Sequence, residues 1–127
     1  MLYRILSKQA KSYGERSVLV GEQRSLTFRQ LWLEASSTAA YFQARGLKAG
    51  DAILIGVPPS PEFYVAFYAA AAIGLVILPV LPSGRIPQLI IDGKPKIAVG
   101  DYAFLTQAQR WCGTLRHLVA WSSPVGL

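Results

Sequence analysis

The sequence predicts an α/β fold, a helix-covered and mainly parallel sheet, and three observations carry that expectation. The run Ala52-Ile53-Leu54-Ile55-Gly56-Val57 is apolar without alternation, as befits a strand covered on both faces. From Thr27 onward, helical and strand patterns alternate repeatedly, the signature of parallel strands joined by crossover helices. Helix-start chemistry at Ser60-Pro61-Glu62 and at Asp101 directly follows two of the predicted strands, so the strand-to-helix connections are short.

The elements follow in order. Leu2, Ile5, Leu6, Ala10 and Tyr13 recur at helical spacing and predict an amphipathic opening helix that stops at Gly14. Ser17 to Val20 and Arg24 to Leu26 flank Gly21-Glu22-Gln23 and predict a short hairpin. Thr27-Phe28-Arg29-Gln30 matches a capping box, and the helix it opens carries Leu31, Ala35, Ala39 and Phe42 on one face before a stop at Gly46. After the strand at 52–57, Ser60 is the expected cap, Pro61 suits the first helical position and Glu62 favours the positive helix start. That helix runs to about Ile73, and Gly74 turns the chain into a strand over Leu75 to Val80, expected to be buried. A short helix over Gly84 to Ile91, a strand over Lys96 to Gly100, a helix capped by Asp101 and a last strand over Leu115 to Ala120 complete the unit.

The chain has 127 residues, which suits one domain. Residues 1–121 are expected to form one α/β subdomain, with 122–127 as an unpacked tail. Hydrophobic residues make up 52% and charged residues only 16%, low against the usual quarter. Apolar surface is therefore expected to be covered, by self-association or by the missing remainder of a larger sheet protein. The formal charge of +6 reflects few acids rather than dense bases. No basic run or nucleic-acid-binding motif accompanies it, so nucleic acid is not an expected partner. Cys112 is the only cysteine, which excludes an internal disulfide and fits a reducing compartment. The first residues lack a secretory pattern, and a cytoplasmic location is the expectation. Residues 63–84 carry no charge and are long enough to cross a bilayer. Gly74 and Pro79 interrupt them, and a buried helix followed by a strand explains the change of character better than a transmembrane span.

Residues able to do chemistry are sparse. No dinucleotide fingerprint or phosphate loop is present. His117 stands alone in a predicted strand and reads as structural. Cys112 with His117 lacks an orienting third group. The acids fall at turns, caps or solvated helix positions and form no carboxylate pair. Ser83-Gly84-Arg85 opens a predicted helix after a strand, where amides and one guanidinium suit an anion; a simple junction with an exposed Arg explains it better. Phe63, Tyr64, Phe67 and Tyr68 suit core or a subunit interface better than a ligand platform. No residue is assigned a catalytic, cofactor-binding or metal-binding role.

Several segments taken together resemble the N-terminal part of the adenylate-forming, or AMP-binding, superfamily, of acyl-CoA synthetase and ligase type. They are Tyr13-Gly14-Glu15-Arg16, Leu26-Thr27-Phe28-Arg29-Gln30-Leu31, Gly46-Leu47-Lys48-Ala49-Gly50-Asp51, Pro58-Pro59-Ser60-Pro61-Glu62-Phe63 and Ala71 to Pro79, followed by the strand at Lys96 to Gly100. The second block is similar to the family's first core motif and the fifth to its second. Gln30 stands where the family usually has Glu, Pro59 where Asn is common, and Ala72-Ile73 replaces Lys-Ala. The resemblance implies a partial N-terminal subdomain of the family's large domain, stopping before its phosphate loop. It implies a parent ligase of the kind found in fatty acid metabolism, using ATP and Mg²⁺ to make an acyl-adenylate and then passing the acyl group to coenzyme A or another thiol. The family's ATP, acyl and thiol machinery lies downstream of the blocks seen here. The expectation is a scaffold without catalysis in isolation; the alternative is a short non-catalytic interaction or oligomerisation module of the same fold.

Overall fold

The computed structural model describes residues 2–14, 17–20, 25–57, 60–80 and 88–120. Its elements are α1 (Leu2–Tyr13), β1 (Ser17–Val20), β2 (Ser25–Thr27), α2 (Phe28–Ala44), β3 (Ala52–Gly56), α3 (Pro61–Ala72), β4 (Val76–Pro79), α4 (Gln88–Asp92), β5 (Ile97–Gly100), α5 (Tyr102–Trp111) and β6 (His117–Ala120). β1 and β2 pair as an antiparallel hairpin. The other four strands form one parallel sheet in the order β4-β3-β5-β6.

Local chemistry sets the helix starts. The Thr27 backbone N–H donates to Gln30 Oε1 at 2.9 Å and the Gln30 N–H donates to Thr27 Oγ1 at 3.1 Å, the reciprocal capping box expected from the sequence. Ser60 accepts from the Phe63 N–H at 3.3 Å with Pro61 behind it, and Asp101 accepts from the Phe104 N–H at 2.8 Å. Where chain direction reverses after α2 and α3, Gly46 and Gly74 take φ of 82° and 76°, a region that costs a side-chain-bearing residue about 1–2 kcal/mol.

The sheet is covered on both faces because its central strands present apolar side chains to each. Ile53, Ile55, Ile97 and Val99 pack against Ala39 and Phe42 of α2 and Ala66, Ala69 and Ala70 of α3. Leu54 and Ala98 face the other way, onto Phe104, Leu105 and Ala108 of α5. Small residues on α3 let its backbone approach the sheet closely. Leu26, Leu31, Ala35 and Val65 tie the hairpin and helices into a third apolar cluster.

Two expectations need correction. The strand after Gly74 is not buried: it lies at the sheet edge, and Val76 is 49% exposed. Pro79 suits that position, since an edge strand tolerates a missing N–H donor. Ile5, placed by spacing on the inner face of α1, is also 49% exposed; Arg4, Lys8, Lys11 and Ser12 share its exposed side. The helix expected over 84–91 is described only as α4, and residues 81–87 and the expected tail at 122–127 lie outside the described residues. Among the described residues no helix is long and apolar enough to cross a membrane.

Candidate functional site

Strand order locates the place where an open parallel sheet ordinarily carries chemistry. From β3 the chain runs through α3 to β4 on one side, then reaches β5 on the other side of β3. The crevice outside the carboxyl ends of β3 and β5 is therefore the topological switch point, the usual ligand position in such sheets. Here Gly56 and Gly100 end the two strands side by side. The Phe104 ring lies directly over both, so that a Cβ at either glycine would overlap it.

Phe104 is 1% exposed, and its own N–H donates to the Asp101 carboxylate. The hydroxyl of Ser60 likewise serves the start of α3. Each helix start beside the crevice thus has one backbone donor engaged by a local side chain, and the Phe104 ring packs on the sheet face over the two terminal glycines. That arrangement anchors α5 to the sheet. Among the described residues no three of His, Cys, Asp and Glu gather closely enough to hold a metal ion.

The opposite end of the sheet holds an ion pair. Lys96 Nζ donates to Asp51 Oδ1 at 2.8 Å, and the Lys48 N–H donates to Asp51 Oδ2 at 3.0 Å. These bonds, with the Lys96 hydrogen bond first, hold the Asp51 carboxyl below its ordinary value. The Lys96 carbonyl in turn accepts from Arg116 and His117 at 2.8 and 3.2 Å. The pair clasps the amino ends of β3 and β5, away from the switch point.

The residues singled out in sequence fall in several different elements. His117 opens the edge strand β6, half-buried. Cys112 is buried at the end of α5 and burial pushes its thiol up, the reverse of nucleophile activation. Phe63 and Phe67 stack at 6.1 Å, with Tyr64 and Tyr68 edge-on at 5.3 and 5.6 Å. Phe63 packs on the α2–α3 core and Tyr68 on the hairpin cluster, so the series bridges two apolar clusters. Ser83-Gly84-Arg85 lies outside the described residues. Two features went unread in the sequence. The Phe104 contact left a faint trace, a glycine ending each of two apolar runs, whereas the Asp51–Lys96 clasp spans 45 positions and left none.

Comparison with known proteins agrees with this scaffold. The family model described as AMP-binding enzyme matches residues 6–118. An acetyl-coenzyme A synthetase of Bdellovibrio bacteriovorus is 28% identical over 113 residues, covering 80% of this chain and 18% of the relative. The chain therefore spans less than a fifth of that relative's length. Among solved structures, the anthranilate CoA ligase AuaEII in complex with anthranoyl-AMP superposes with a TM-score of 0.84 at 18% identity, covering 94% of this chain and 24% of the other. The N-terminal domain of FACL13 from Mycobacterium tuberculosis gives a TM-score of 0.84 at 21% identity, covering 94% of this chain and 33% of that one.

Proposed function

Because this chain belongs to the AMP-binding enzyme family, we propose that it is the opening scaffold of an acyl-CoA synthetase-like adenylating enzyme. The whole enzyme, on this reading, activates a carboxylic acid with ATP to an acyl-adenylate and transfers the acyl group to a thiol. These 127 residues supply sheet and helices rather than reacting groups. The observation that carries the reading is the family match over nearly the whole chain, combined with a span under a fifth of the relative's length.

ATP, Mg²⁺ and coenzyme A belong to the complete enzyme, and the described residues do not fit them. Among the described residues no three of His, Cys, Asp and Glu gather for a metal. No step of acyl activation is assigned to a residue here, because stabilising charge on a transferring phosphoryl group requires positioned donors or metal at the reacting atoms.

ATP–pyrophosphate exchange with a panel of carboxylic acids tests the proposal. The 127-residue chain is expected to show no acid-dependent exchange, and saturable exchange with any acid would overturn the scaffold reading. Coding DNA after Leu127 provides a second check. A Ser/Thr/Gly-rich phosphate loop in frame there supports the parent activity.

A second reading, a short self-associating module, is favoured by the edge strand β6, where Leu118 is 41% exposed. A discrete dimer or tetramer that persists on dilution supports that reading. Indefinite aggregation supports the uncovered scaffold.

A further inference from the structure

Helix α1 turns its basic side to solvent. Arg4, Lys8 and Lys11 are all exposed, and their spacing of four and then three residues puts them on one face. Ala10, on the other side of the helix, is buried. The segment Leu2–Tyr13 contains no acid. On a solvated helix such a row is ordinarily interleaved with Glu or Asp at helical spacing, because like charges three or four residues apart repel. Arg4 also stands in the first turn, where the helix dipole favours an anion. Both choices oppose helix stability in water, and negative charge arriving from outside relieves both.

Aliphatic side chains flank the row. Ile5 is 49% exposed beside it, and Leu33 of α2, which lines a cleft together with Lys11, is 50% exposed. Glu34, next to Leu33 in sequence, is half-buried. Cations bordered by exposed aliphatic groups, on the outside of a helix rather than in a groove, complement a surface that is anionic at its plane and apolar just beneath. An anionic bilayer has that profile. A phosphate backbone would use the cations and leave Ile5 and Leu33 in water. We propose that the outer face of α1 docks reversibly on an anionic lipid bilayer, with Arg4, Lys8 and Lys11 at the headgroups and Ile5 and Leu33 at the acyl boundary. Attachment is peripheral, since among the described residues no helix is long and apolar enough to cross a membrane. The proposal goes beyond the scaffold reading and stands or fails apart from it.

Co-sedimentation of the 127-residue chain with lipid vesicles is the test. Vesicles of equimolar phosphatidylcholine and phosphatidylglycerol are expected to carry the protein down saturably, and vesicles of phosphatidylcholine alone to leave it in solution. Binding should weaken as sodium chloride rises, because salt screens exposed charge. A cation at an anionic surface contributes roughly fivefold in affinity, so Lys8→Gln with Lys11→Gln is expected to lose roughly twenty-fivefold. Lys8→Arg with Lys11→Arg keeps the charge and should bind like the parent. Lys94→Gln with Arg116→Gln removes the same net charge at exposed positions of other segments and is expected to change affinity less than roughly threefold. Ile5→Ser is expected to lose roughly threefold by withdrawing an aliphatic group. Circular dichroism confirms that each variant is folded; should Ile5→Ser not fold, the charge variants decide by themselves. Equal binding to neutral vesicles, unchanged affinity in the Lys8→Gln, Lys11→Gln variant, or an equal loss in the Lys94→Gln, Arg116→Gln variant would overturn the site. Poly-L-glutamate or a single-stranded oligonucleotide bound as tightly as the anionic vesicles would overturn its assignment to lipid.

Discussion

Phe104 joins α5 to the sheet. Its ring occupies the space that side chains on Gly56 and Gly100 would need, so ring and glycines are matched in volume. Phe104→Ala is expected to lose about 3–5 kcal/mol, the usual cost of deleting a buried aromatic. Gly56→Ala, which overpacks the same spot, is expected to lose about 1–3 kcal/mol. The double variant Gly56→Ala with Phe104→Leu should recover part of that loss, which urea unfolding of the three proteins reads directly. At the other end, Asp51 has a folded-state pKa below its ordinary value of 3.8. Its contribution is therefore present above that value and lost as pH falls through the lower folded one. Asp51→Asn is expected to be less stable than the parent at pH 7 and to converge with it at the acidic extreme. Unfolding midpoints measured from neutral pH down to strong acid would show equal loss at every pH if the clasp contributed nothing.

At the scale of elements, helix starts rest on single side chains within three or four residues of one another. Thr27→Ala and Asp101→Ala are each expected to cost about 1 kcal/mol. The sites cap different helices on opposite ends of the described chain, so their effects should add in the double variant. Asp101→Asn, which keeps an acceptor, should stay near the parent; thermal denaturation of the four proteins separates capping from charge. This dependence on close neighbours is why the helix starts of α2, α3 and α5 were legible in the sequence. The inner face of α2 was legible for the same reason: Leu31, Ala35, Ala39 and Phe42 are all buried. Ile5 shows the limit. Helical spacing alone does not say which neighbour covers a face, and the basic side of α1 carries that residue outward.

For the whole molecule, the open side of the sheet matters most. Among the described residues β6 pairs on one side only, and its exposure alternates along the strand, with Leu118 and Ala120 outward. Val119 packs partly against the α2–α3 core, while Ser37, Thr38 and Tyr41 of α2 flank a groove beside it. An uncovered apolar edge recruits further strands. Sedimentation velocity is therefore expected to show association that rises with concentration and falls in Leu118→Lys. The substitution itself should change stability by no more than about 0.5 kcal/mol. A parent chain that stays monomeric at every concentration contradicts this expectation.

By itself the sequence determined the α/β class, the hairpin, the caps and the apolar runs that became central strands. Each depends on residues adjacent along the chain or one helical turn apart. The resemblance in its ordered blocks also placed it in the right family. Only the tertiary structure decided that β4 and β6 lie at the edges and that β3 and β5 meet at the centre. Strand order follows from which crossover packs on which face, and that is a property of the assembled sheet. The same holds for the switch point. Gly56, Gly100 and Phe104 are unremarkable letters in three separate segments, and they become one close contact only when parallel pairing sets β3 beside β5 and α5 folds back over both.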